Sequence, residues 1–194
     1  MDGSLTWKSV HYLQHSGANL YVERCKRKLR VFGAPQIPAC GGPEFAFQYP
    51  RGQDAWSDTI PSDLDILITH TPPKWHLDLP AGLGCEWLLR EVRRTKPRVH
   101  VFGHVHAARG SEAVYWDGCQ SAYETICNRS CRGTLSFIGI ASYVDLGRMV
   151  LQGMRAIIWR LLWRGEEEGG LMINAALMSQ SSGNLDQKPQ AFEI

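Results

Sequence analysis

The 194 residues are 44% hydrophobic and 21% charged, the balance of one ordinary globular domain with enough apolar mass for a core. A net charge of +2 excludes a global electrostatic field for nucleic acid, so no nucleic-acid partner is expected. The six cysteines include no C-x-x-C pair, and the first ten residues hold no apolar signal-like run. Reduced thiols and a cytoplasmic or nuclear location are expected rather than secretion.

In chain order, residues 18–23 and 29–33 predict two short strands around the basic run Lys26-Arg27-Lys28, read as a solvated hairpin tip rather than a nuclear-localisation patch. Residues 34–62 are dense in Gly and Pro and predict an ordered loop region. The β-branched run at 64–68 predicts a buried strand. A helix is expected over 84–96. There Cys85, Leu88, Leu89 and Val92 fall at i, i+3, i+4 and i+7, Glu86 and Arg90 can pair outside, and Pro97 is a stop. The next strand is 98–102. Strand, helix, strand with metal-type residues at both carboxyl ends is the layout in which α/β proteins build sites.

Residues 111–169 have a different character. A wide apolar stripe of helical period covers 145–164, broken by Arg148, Arg155, Arg160 and Arg164. No stretch approaches the ~18–20 uncharged residues of a membrane span. A basic amphipathic helix with Trp159 and Trp163 could lie on a membrane surface. Docking on the domain's own sheet is the preferred reading, and a membrane partner is not expected. Residues 171–176 return to a strand pattern, followed by a polar tail at 179–188.

His11, His15 and His100 read as hydrogen-bonded core histidines. His70 differs, because it ends a strand between Thr69 and Thr71 with Pro72-Pro73 stiffening the chain behind it. In Val101-Phe102-Gly103-His104-Val105-His106, Gly103 allows a tight turn, and two imidazoles one residue apart cannot both be core. A metal ion satisfies both, since neutral imidazole is the commonest protein ligand for transition metals. Lys74, His76, Arg109 and Asn174 are neighbours of these residues in sequence only.

Thr69-His70 with Pro72-Pro73, then Gly103-His104-Val105-His106, then Ile173-Asn174-Ala175-Ala176, resembles the C-terminal half of a calcineurin-like metallophosphoesterase. Val31-Phe32-Gly33-Ala34-Pro35 and residues 45–61 are similar to the small intracellular metallophosphoesterase-domain subgroup. The resemblance implies an α/β fold: a partial β-sandwich flanked by helices, as a single domain over 1–194 with a helical insertion at about 111–169. It also implies a metal-dependent hydrolase of phosphomonoesters or phosphodiesters, with a phosphate ester as substrate. His70 and His104 would ligate one divalent ion (Mn, Fe or Zn) and His106 a second. The family's upstream motifs, D-x-H, G-D and G-N-H, have no match before His70, so the chain is expected to begin after them. Its general-acid histidine is absent with them, and no catalytic residue is identified. The alternative is a catalytically inactive fragment or binding module, whose apolar edges a partner or the missing N-terminal half would cover.

Overall fold

The computed structural model of the chain describes residues 10–42, 45–130, 140–163, 169–178, 185 and 188–192. Strands β1 (Ser16–Val22) and β2 (Arg27–Ala34) form an antiparallel hairpin. Its tip is solvated as expected, with an exposed Lys26–Glu23 ion pair, but Arg27 and Lys28 already belong to β2. Two-residue strands β3 (Ile37–Pro38) and β4 (Gln48–Tyr49) pair in parallel within the Gly- and Pro-rich region. Strand β5 (Ile66–Thr69), helix α1 (Glu86–Thr95) and strand β6 (Val99–Phe102) follow as a parallel crossover unit. A single 3-10 turn (His106–Ala108), strand β7 (Gly110–Tyr115), helices α2 (Gly118–Ser130) and α3 (Ile140–Trp163), and strand β8 (Gly169–Asn174) complete the described elements.

The result is a mixed α/β fold whose main sheet runs in the order β1-β2-β5-β6-β8-β7. Strands β2, β5, β6 and β8 are mutually parallel, with the antiparallel β1 and β7 at the two edges. All four central carboxyl ends therefore open on one side, where open α/β sheets place their ligands. The core under that edge joins Phe32, Leu67, Phe102 and Met172 of the sheet to Leu88 and Val92 of α1. Trp56 and Ile60 from the Gly- and Pro-rich region are also fully buried there, so that region is a structural part of the core. Burying each such side chain contributes roughly 1.5–3 kcal/mol.

Helix α1 starts at Glu86 and ends at Thr95, just inside the expected 84–96. The Cys85 sulfur caps it by accepting from the Leu88 N–H at 3.4 Å. Lys96 ends it in a left-handed conformation, with its N–H bonded to the Val92 carbonyl at 2.7 Å. The expected Glu86–Arg90 pair is replaced by Glu86–Lys74 at 3.7 Å. The buried Glu91 is held by Arg94 instead, at 2.9 and 2.7 Å.

Residues 111–169 depart most from the sequence reading. They begin in β7, an edge strand of the main sheet, and include α2, which no periodicity had indicated. Helix α3 packs on α2, not on the sheet as preferred above. An apolar stripe marks one face of a helix but does not say what that face meets. The side of α3 that touches α2 carries Gln152, close to Gly118, and Gly153, close to Cys119. Arg129 of α2 closes the contact with a 2.8 Å ion pair to the buried Asp145. Among the described residues, no helix is long and apolar enough to cross a membrane, and Cys25, Cys40, Cys85, Cys119 and Cys127 are free thiols. Cys131, Arg164 and most of the tail at 179–188 lie outside the described residues.

Candidate functional site

β5 and β6 run side by side with Ile68 opposite Val101, so the residues after each strand emerge at the same edge. His70 is the first of them on one strand; His104 and His106 follow the other. The His70 carbonyl accepts from the Gly103 N–H at 3.2 Å, which ties the two loops together. The sharp conformation sits one residue later than the sequence suggests. His104 has φ +65°, whereas a side chain added at Gly103 would meet nothing within 4 Å. Histidine tolerates the left-handed region better than most residues. The Val105 N–H bonds to the Gly103 carbonyl at 2.7 Å and closes a three-residue turn around His104.

Two buried polar side chains hold these loops. Asn174, fully buried at the end of β8, donates to the Val105 carbonyl at 2.8 Å and the Leu77 carbonyl at 3.1 Å, and accepts from the Ala176 N–H. It thereby pins the residue between His104 and His106. On the other strand the Thr69 hydroxyl donates to the Thr71 carbonyl at 2.8 Å, bracketing His70. That hydroxyl has a single proton, so its 2.9 Å contact with His100 Nε2 has the imidazole as donor. His100 is thus the core histidine expected, kept neutral by burial, which brings its pKa down to about 3, with a smaller push from His76.

His70, His104 and His106 line one cavity of about 580 Å³, walled by Pro35, Ile37, Phe45, Ala46 and Phe47. Phe45 and Phe47 fall in the segment 45–61 that carries the family resemblance, but nothing in the sequence placed them at the histidines. The His70 and His104 rings lie 5.1 Å apart, centre to centre, tilted by 57°. Burial lowers the pKa of both; the charge of His106 adds to this at His70, and those of His70, His106 and Arg51 add to it at His104. Both are therefore biased to the neutral form, the state that offers a nitrogen lone pair.

The spacing fits a shared ion. Two imidazoles on one tetrahedral ion, each about 2.0–2.1 Å from it, put their ring centres about 5 Å apart. Among the described residues no carboxylate lines the cavity, and no group of three or more His, Cys, Asp or Glu side chains is placed to hold a metal ion. Among the described residues the cavity thus offers a histidine pair spaced for one ion and no acidic donor for a second.

The remaining histidines sort differently. His11 and His15 are exposed, not core. His76 is buried, with Nδ1 at 2.7 Å from Glu112 and Nε2 at 3.3 Å from Glu124, outside the cavity. Lys74 pairs with Glu86, and Arg109 donates to the Lys188 carbonyl; neither lines the cavity.

No protein-family model matches the chain. It is 42% identical over 107 residues to metallophosphoesterase domain-containing protein 1 of Homo sapiens, covering 51% of this chain and 30% of that protein. A UPF0046 protein of Caenorhabditis elegans is 34% identical over 111 residues, 56% of this chain and 36% of its own length. These relatives support a metallophosphoesterase-like family. A third relative, a probable rhamnogalacturonate lyase C of Emericella nidulans, is 44% identical over 131 residues, 66% of this chain. That match covers only 12% of the lyase, too little to carry its named activity across. The chain spans about a third or less of the length of each of these relatives.

Proposed function

We propose that the chain contributes the histidine half of a metal-dependent phosphoesterase centre, in the small metallophosphoesterase-domain subgroup. The observation that carries this reading is the meeting of His70, His104 and His106 at one cavity on the carboxyl edge of the sheet. His70 and His104 would hold one divalent ion, and His106 would face the position of a second. Mixed imidazole and oxygen donors suit manganese, iron or zinc. When bound, such an ion polarises a phosphoryl oxygen and acidifies a water molecule. The chain's own contribution is positional. Asn174 and the Thr69–His100 pair keep the three imidazoles at the cavity, and Phe45 and Phe47 provide an apolar wall for the organic part of a phosphate ester.

Hydrolysis of bis-p-nitrophenyl phosphate by the purified chain with added manganese tests the reading. His104→Ala is expected to bring turnover down to the background of manganese in buffer. Equal turnover by the two proteins would sink it. A second reading, a binding module without catalysis, is favoured by the lack of a carboxylate at the cavity among the described residues. It predicts metal-dependent retention of the ester, measured by calorimetry, with no hydrolysis.

A further inference from the structure

Helix α3 turns its apolar side to solvent. Val150, Leu151, Met154, Ile157, Ile158 and Leu161 recur at three- and four-residue steps, and each is 48–75% exposed. The opposite side, against α2, holds Asp145, Gln152 and Gly153. This inverts the usual arrangement, in which a surface helix buries its apolar stripe. Six large side chains in one run over about 17 Å of helix make a contiguous patch of the kind that marks an interaction surface.

The charge around the patch selects the occupant. Arg148 and Arg155, two turns apart and both exposed, border it along the flank next to Leu151 and Ile158. The helix has one acidic residue, Asp145, and that carboxylate is buried and engaged by Arg129 and Arg148. Among the described residues the exposed face of the helix is therefore apolar, with arginines along one flank. In a second copy the arginines of this face would meet their own kind, because α3 offers no exposed carboxylate among its described residues. Trp159, also exposed, lies beside the arginine flank, where an indole sits well at a headgroup boundary.

We propose that α3 lies flat in the interface of an anionic lipid surface, its apolar face in the acyl boundary and Arg148 and Arg155 at the level of the lipid phosphates. The helix rests on the membrane rather than crossing it, since no helix among the described residues is long and apolar enough to cross. This attachment is independent of the phosphoesterase reading. It would hold the cavity of the same domain near a membrane surface.

Co-sedimentation of the full 194-residue chain with vesicles tests it. Vesicles of phosphatidylcholine with phosphatidylserine are expected to pellet the protein. Phosphatidylcholine alone should do so roughly tenfold less, and high salt should weaken the binding. Ile157→Asp with Leu161→Asp puts charges into the acyl boundary and should abolish pelleting. Arg155→Glu changes an exposed side chain, and should weaken binding about tenfold with an unchanged circular-dichroism spectrum. Equal pelleting by the two kinds of vesicle, or undiminished pelleting of the double variant, overturns the proposal. So does a dimer by light scattering that reverts to monomer in the double variant and binds neither vesicle, which would assign the face to a second copy.

Discussion

A single buried imidazole shows how little of the local chemistry is visible from neighbouring residues. Burial by itself would keep His76 neutral. The hydrogen bonds and charges of Glu112 and Glu124 outweigh that and raise its pKa from 6.5 to about 9. Arg93 from α1 also grips Glu124 at 2.7 Å, Asp78 lies on the same loop, and His100 of β6 is a further titratable neighbour. The folded-state pKa is raised, so the stabilisation is full below about pH 6.5 and is lost as the pH rises through 9. It is worth about 3 kcal/mol at most. The midpoint of urea unfolding should therefore fall between pH 7 and pH 9.5. His76→Gln should lower stability at pH 7 and flatten that slope; an equally steep slope in the variant would refute the assignment. The sequence hid this cluster because the partners are 36 and 48 residues away.

At the scale of elements, the end of β8 governs the loop after β6. Asn174 satisfies the Leu77 carbonyl and adds a second donor to the Val105 carbonyl, which also accepts from the Ala108 N–H at 3.1 Å. Asn174→Leu leaves the Leu77 carbonyl and the Ala176 N–H without this partner and takes one of two donors from the Val105 carbonyl, and should cost about 1–3 kcal/mol in denaturant unfolding. A loss under about 0.5 kcal/mol would show that the loop is held by other means. The strand itself was legible from its apolar run, and Asn174 stood out only within the run Ile173-Asn174-Ala175-Ala176 that carries the family resemblance and as a sequence neighbour of the site. Its role depends on β8 lying next to β6, a pairing between residues some seventy positions apart. Helix α1 was the most readable element, since its stripe, cap and proline stop are local. Strand β7 and helix α2 were not readable, because the one gains its place by pairing with β8 and the other by packing under α3.

For the whole molecule, the parallel order β2-β5-β6-β8 makes the cavity a property of the entire sheet edge. An ion held by His70 and His104 would cross-link the ends of β5 and β6 in the folded state only. At about 100 times its dissociation constant it should add about 2.7 kcal/mol to stability. For a chain of this length that is roughly 5–10 °C in the midpoint of thermal unfolding. Zinc or manganese should produce the shift in the chain as it stands and not in His104→Ala. An identical shift in both proteins would place the ion elsewhere.

The sequence by itself determined the α/β character, the central strands, helix α1 and the three histidines at strand ends, because each rests on periodicity or on a turn within a few residues. It also determined which face of α3 is apolar. Only the tertiary structure decided that this face looks outward, that the positive φ belongs to His104, and that Phe45 and Phe47 wall the cavity. Those outcomes depend on which distant segments pair and pack, and a local pattern carries no record of its partner. The histidines were a metal signal in the sequence; the sheet brought them to one cavity, with two of the rings 5.1 Å apart.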